Sequence, residues 1–217
     1  MQNTLLTLCL FSVLGSFAQD TTRLYYLSGK LAALQVRQKP DTTILWERDL
    51  FESGQLRGEL TAIKEGTKRA IILKMVEYDD SGRLRAQINN TASIRYEPDG
   101  SIFEIAPLKN HRRNGTAKTY IDKKLYFAVD YKDDKKDGWQ ISYDTDGSIS
   151  SKTMYKEDKQ DGPTVFYNKN GKLKKTIAYA AGCPVKVTYY DATGKPTKTL
   201  LDKKTIYLKE GKPIGCQ

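Results

Sequence analysis

The residues that could do chemistry are few. The one histidine, His111, sits in Lys109-Asn110-His111-Arg112-Arg113. An imidazole works as a general base or metal ligand when carboxylates, thiols or further imidazoles stand around it. This neighbourhood is cationic, so His111 reads as part of a solvated basic turn. Asp133-Asp134 could act as paired carboxylates, but Lys132, Lys135 and Lys136 enclose them, the pattern of a charged loop between structural units. The sequence holds no nucleophile elbow, phosphate-cradling loop or metal-spaced cluster. It therefore reads as a non-enzyme that takes no cofactor and no metal.

Covalent chemistry is left to cysteine. Leu5 to Phe17 is almost continuously apolar and no charge precedes Asp20. Ser16-Phe17-Ala18 then has the small-x-small form of a cleavage site. Residues 1–18 are expected to be a signal peptide, too short for a membrane span, and the mature chain to be exported, periplasmic or extracellular. Cys9 leaves with this segment. Cys183 and Cys216 remain, each after a glycine. In an oxidising compartment they form one disulfide or stay as two free thiols.

Charge points to the class of partner. Residues 19–108 hold 13 Lys and Arg against 13 Asp and Glu; residues 109–217 hold 23 against 13, so the net +10 lies in the second half. Lys172, Lys174 and Lys175 exemplify it. Such lysines either engage a protein or an anionic envelope surface, or are solvated faces and edge strands that Lys protects from unwanted pairing. Export disfavours nucleic acid.

These residues must be positioned by something, and a repeat supplies it. Tyr-x-x-x-Gly-x-Leu/Ile/Pro recurs at Tyr25-Gly29-Leu31, Tyr78-Gly82-Leu84, Tyr96-Gly100-Ile102 and Tyr143-Gly147-Ile149. It returns at Tyr167-Gly171-Leu173, Tyr190-Gly194-Pro196 and Tyr207-Gly211-Pro213, with Leu50-Gly54-Leu56 as a degenerate copy. From Tyr96 the aromatics fall at Tyr120, Tyr143, Tyr167 and Tyr190, a period of 23–24 residues. In Tyr96-Glu97-Pro98-Asp99-Gly100-Ser101-Ile102, Pro98 suits the second position of a type I turn and Gly100 the left-handed position after it. Glu97 then flanks Ser101, and Tyr96 lies opposite Ile102, which explains the constant spacing of six.

Asn114-Gly115, Asp137-Gly138 and Asp161-Gly162 are expected to be the second turn of each unit. Between turns, Trp139, Ile141 and Tyr143 alternate with Gln140 and Ser142, as in a strand. A second tyrosine column follows at Tyr131, Tyr155 and Tyr179. The aromatic columns are either the ladder that holds hairpins together or a surface for a sugar or another partner. The chain shows no convincing amphipathic helix; Leu31 to Gln38 is the best short candidate. The expected architecture is all-β: an antiparallel meander of hairpin repeats in an extended or curved sheet, with an irregular region over 19–108 and regular repeats over 109–217.

Asp137-Gly138-Trp139-Gln140-Ile141-Ser142-Tyr143, then Asp146-Gly147-Ser148-Ile149 and Tyr155 to Gly162, resembles the variant MORN repeat, and the chain is similar to the bacterial YwqK-type antitoxin-like family. The resemblance covers roughly residues 90–215 well and 25–85 loosely. It implies β-hairpin repeats that bind proteins or membranes, in a family some of whose members are thought to neutralise a partner toxin. Joined to the export signal, it gives a non-enzymatic binding or scaffold protein of the bacterial cell envelope, with an antitoxin- or immunity-like protein as the alternative.

Overall fold

A computed structural model describes residues 6–9, 19–38, 42–65, 70–201, 208–209 and 212–213. The chain divides into two compact units, Met1–Ile102 and Phe103–Gln217. The N-terminal unit contains β1 (Leu6–Cys9), β2 (Gln19–Tyr25), β3 (Leu31–Gln38), β4 (Thr42–Leu50), β5 (Leu56–Glu65), β6 (Ile71–Tyr78), β7 (Leu84–Ile88) and β8 (Ala92–Tyr96). Each pairs antiparallel with the next. Of the expected signal peptide only Leu6–Cys9 is described, as the strand beside β2.

From the boundary onward come β9 (Ile102–Lys109), β10 (Arg112–Arg113), β11 (Gly115–Ile121), β12 (Lys124–Lys132), β13 (Lys135–Tyr143) and β14 (Ile149–Lys156). They are followed by β15 (Lys159–Tyr167), β16 (Leu173–Ala180), β17 (Cys183–Tyr190), β18 (Pro196–Leu201), β19 (Leu208–Lys209) and β20 (Lys212–Pro213). β9 pairs with β10 and β11, and β11 to β18 form an antiparallel meander in chain order. The all-β hairpin meander is borne out: among the described residues every regular element is a strand. Leu31–Gln38, the helix candidate, is a strand held on both sides by β2 and β4. Pairing on two edges overrides the helix preference of its Leu and Ala residues.

The hairpins alternate between two kinds of turn. At one end the Tyr-x-x-x-Gly motif makes a three-residue loop. Asp144 N–H donates to Ser148 O at 2.8 Å and Gly147 N–H to Asp144 O at 2.9 Å, and the same pair of bonds recurs at Glu97–Ser101, Asn168–Lys172 and Asp191–Lys195. Gly147 and Gly171 have φ of 85° and 76°, the left-handed conformation that costs other residues about 1–2 kcal/mol. Tyr143 faces Ile149, Tyr167 faces Leu173 and Tyr190 faces Pro196. Leu50 faces Leu56 around Gly54 in the same way. Gly29, Gly82, Gly100 and Gly194 share the positive φ; Gly211 lies outside the described residues.

One feature of these hairpins is absent from the sequence motif. Immediately beyond the closing pair the register shifts by one residue, as between Ser142 and Tyr143. Tyr143 faces Ile149 while Ser142 faces Ser151, so Ser150 is a bulge. Lys174 and Thr197 occupy the same place in the next copies. A bulge raises the local twist and reverses the face on which the following residues lie.

The other end corrects the sequence reading. Asn114-Gly115, Asp137-Gly138 and Asp161-Gly162 are not turns. Gly115 opens β11, and the other two pairs lie inside β13 and β15. The turns are Asn110-His111, Asp133-Asp134, Glu157-Asp158 and Ala181-Gly182, two-residue loops whose central residues have φ between 47° and 91°. Two positive φ values define the type I′ turn, whose twist matches that of the strands. Asp122-Lys123, with φ of 50° and 64°, makes the same turn at the opposite end.

Three of these turns are tied to the repeat before them. Asp134 N–H donates to Arg113 O at 3.0 Å, Asp158 N–H to Lys136 O at 2.9 Å and Gly182 N–H to Gln160 O at 2.8 Å. The carboxylates answer: Arg113 N–H donates to Asp134 Oδ1 and Lys136 N–H to Asp158 Oδ1, both at 2.8 Å. These acids sit where glycine or asparagine would be conformationally easier because they hold the neighbouring repeat. At the other end, Lys124 Nζ donates to Thr145 O at 2.8 Å and Lys172 Nζ to Ala192 O at 2.9 Å.

Among the described residues Cys183 is the largest side chain that is completely buried. The rest of the buried set is small: Ala32, Ala33, Ala62 and Ala86 in the N-terminal unit, and Ala106, Ala117, Ala128, Thr153, Thr164 and Thr188 in the C-terminal unit. Most large apolar side chains are half-buried, with Leu27, Ile71 and Leu200 among the exposed ones, so stability is spread over many cross-strand pairs of about 0.2–1 kcal/mol each.

Candidate binding surface

Registers propagate from strand to strand, so the C-terminal unit can be read as rungs running across it. One rung joins Gln140, Thr153, Thr164, Ile177, Val187 and Leu200. The rung two residues away along the strands, on the same face, joins Ser142, Ser151, Phe166, Lys175, Tyr189 and Lys198. The rung between them, Ile141, Lys152, Val165, Thr176, Thr188 and Thr199, belongs to the opposite face.

The two tyrosine columns separate accordingly. Tyr143, Tyr167 and Tyr190 share the face of Ile141 and Val165. Tyr131, Tyr155 and Tyr179 lie on the other face, directly opposite Gly115, Gly138 and Gly162. There the first two rings are covered by cations of their own repeats: Arg113 Cζ is 4.2 Å from the Tyr131 centroid and Lys136 Nζ is 4.9 Å from that of Tyr155. Tyr190 Oη lies 3.3 Å from Thr176 Oγ1. Tyr131, Tyr155 and Tyr190 thus serve cohesion between hairpins.

The buried threonines are satisfied by other threonines. Thr164 Oγ1 donates to Thr153 Oγ1 at 3.3 Å, and Thr188 and Thr199 share a bond of 3.4 Å. A hydroxyl buried without a partner would cost about 1–3 kcal/mol.

The rung from Ser142 to Lys198 differs. Lys175 Nζ sits 4.6 Å from the Phe166 ring centroid. The next strand presents Tyr189, 39% exposed, and the one after it Lys198, also exposed. Leu200, 46% exposed, stands two residues beyond Lys198 on the same face. An aromatic ring thus stands between two ammonium-bearing residues on flanking strands, each about 4.8 Å away by strand spacing. Such a surface attracts anions and offers a flat apolar ring beside them.

The other residues singled out in the sequence fall elsewhere. His111 is the second residue of a type I′ turn, half-buried, its Nδ1 without a hydrogen-bond partner. Asp133 accepts from Asn114 Nδ2 at 3.3 Å and Asp134 from Arg113 N–H, so both carboxylates act between turns. Lys174 is a bulge residue and Lys172 a staple; of the three lysines singled out, Lys175 alone lies on the rung. Cys183 is disulfide-bonded and 1% exposed, while Cys216 lies outside the described residues. Sequence reading missed Phe166, Tyr189 and Lys198, which are separated by 23 and 9 residues. The hairpin spacing pairs Tyr167 with Leu173, but only the bulge at Lys174 brings Lys175 opposite Phe166.

Several exposed carboxylates lie below their ordinary range because the loops donate to them. The Thr193 hydroxyl, then the Lys195 N–H, holds Asp191 down; the Ser148 hydroxyl and N–H do the same for Asp146. Asp49, in the N-terminal unit, is pushed up, first by burial and then by Glu47, with Arg57 opposing. Among the described residues no helix is long and apolar enough to cross a membrane.

Residues 160–180 match the family model of the MORN repeat variant. They span β15, the three-residue loop at Asn168–Lys172 and β16, which is one hairpin with its bulge. No curated protein matches the chain.

Proposed function

We propose that this MORN-repeat chain is a non-enzymatic binding or scaffold protein of the bacterial cell envelope, and that it engages its partner through the Ser142-to-Lys198 rung. The observation that carries the reading is Tyr189, exposed between Lys175 and Lys198 on the face where Tyr131 and Tyr155 are covered by cations of their own repeats. The repeat supports it, since stacked hairpins present a periodic, extended face suited to binding. The positive excess of residues 109–217 supports an anionic partner, and the apolar run before Ala18 supports export.

The test uses the purified mature chain and isolated bacterial envelopes. Association should be strong at 0.01 M salt and fall steeply by 0.15 M, where the screening length shrinks from about 30 Å to about 8 Å. The double variant Lys175→Gln/Lys198→Gln should bind less and respond less to salt. Binding indifferent to both salt and these lysines would refute the reading. So would recovery of the natural protein only as a full-length cytoplasmic species.

A further inference from the structure

We infer that the rung from Ser142 to Lys198 is a subsite for an extended anionic polysaccharide, with Tyr189 stacking under one sugar ring and Lys175 and Lys198 meeting acidic groups on either side of it. This rests on the binding role proposed for the same rung and names the chemistry of the partner.

The composition of the rung carries the inference. Ser142, Ser151, Phe166, Lys175, Tyr189 and Lys198 run in register across β13 to β18. Six strands at a spacing of about 4.8 Å give a track of roughly 24 Å, long enough for several sugar rings laid across the strands. A sugar ring has a C–H face that packs on an aromatic, hydroxyls at its rim and, in an acidic sugar, a carboxylate or phosphate. The rung offers the matching set: an exposed ring, serine hydroxyls and ammonium groups.

The competing partners fit less well. A lipid surface calls for several apolar side chains that project together; on the parallel rung Thr153 and Thr164 are buried and bonded to each other, Ile177 and Val187 are half-buried, and Leu200 alone is an exposed apolar side chain. The Phe166 ring is already covered by Lys175, leaving the ring of Tyr189 as the platform beside exposed Leu200. An acidic peptide would use the lysines but gives no reason for a tyrosine set between them. Lys is a point charge that accepts carboxylate or phosphate alike, so the assignment is to acidic glycans as a class.

The experiment is calorimetric titration of the mature chain with polygalacturonate, and with neutral dextran, at 0.01 and 0.15 M salt. Polygalacturonate should bind, with affinity falling as salt rises, and dextran should not. Tyr189→Ala should weaken binding about tenfold, the loss of about 1.4 kcal/mol of stacking, while Tyr189→Phe keeps it. If Tyr189→Ala fails to fold, Tyr189→Thr preserves strand preference and should show the same loss. The inference is overturned if removing the ring leaves affinity unchanged. It is also overturned if polyglutamate or phosphatidylglycerol vesicles bind as tightly with the same dependence on Tyr189. Envelope binding that depends on Lys175 and Lys198 but is not reproduced by polygalacturonate would reject the glycan and leave the binding role standing.

Discussion

Gly138 faces the side chain of Asp130 so closely that a Cβ at position 138 would lie 2.7 Å from the Cβ of Asp130. Asp130 uses this clearance to accept the N–H of Trp139 at 3.0 Å and the hydroxyl of Thr116 at 2.7 Å. The glycine also has φ of 124°, which no L side chain adopts comfortably. It is the bulge that lets β13 pass a buttressing carboxylate.

The first prediction compares two glycines. Gly138→Ala should cost about 3 kcal/mol or more, since it adds a clash to backbone strain. Gly171→Ala, at φ of 76° with open space around it, should cost about 1–2 kcal/mol. Chemical denaturation of both variants measures the difference, and equal losses would mean the contact with Asp130 carries no weight.

A second prediction concerns the type I′ turns. Glu157 holds φ of 47°, a conformation asparagine adopts more readily. Its ion pair with Lys135, at 3.9 Å and exposed, contributes little. Glu157→Asn should therefore stabilise by about 0.5 kcal/mol or more. Asp158→Ala should destabilise by about 1 kcal/mol or more, because it removes the acceptor for Lys136 N–H and leaves alanine at φ of 67°. Melting temperatures that move in the same direction would contradict this division of roles.

Acid should weaken the fold. Asp191, Asp146 and Asp79 titrate below their ordinary range when folded. Their stabilisation is therefore complete above the unfolded value of about 3.9 and is lost as pH falls through the lower folded values. The melting temperature should drop below about pH 4, and Asp146→Asn with Asp191→Asn should flatten that drop. Asp49 has the opposite sign: Asp49→Asn should raise the melting temperature at neutral pH, and a decrease would show that its charge is needed.

The disulfide at Cys183 is the last prediction. Reduction should lower stability by about 2–4 kcal/mol. If the partner is Cys216, as its place in the mature sequence suggests, Cys216→Ser should release one thiol that titrates only after unfolding, since Cys183 is 1% exposed. A mature chain in which Cys183 reacts without reductant or denaturant would disprove the bridge.

Read by itself, the sequence determined the hairpins made by Tyr-x-x-x-Gly-x-Leu/Ile/Pro. A three-residue loop with a left-handed glycine is a property of seven consecutive residues, so the pairing of Tyr143 with Ile149 follows from local geometry alone. The all-β class followed too, because period-two alternation needs no partner to be recognised. What lay outside it was everything that depends on the neighbouring repeat. Asp137-Gly138 has the composition of a tight turn, and glycine serves a turn or a bulge equally well; the side chain of Asp130 on β12 makes it a bulge. Asp133-Asp134 makes the turn instead, held by Arg113 some 20 residues earlier. The binding rung was hidden for the same reason: each bulge reverses the facing of its strand, and Phe166, Lys175, Tyr189 and Lys198 come into line only when four strands are in register. Local chain geometry decides where the chain reverses, and the packing of one hairpin on the next decides which side chains share a face.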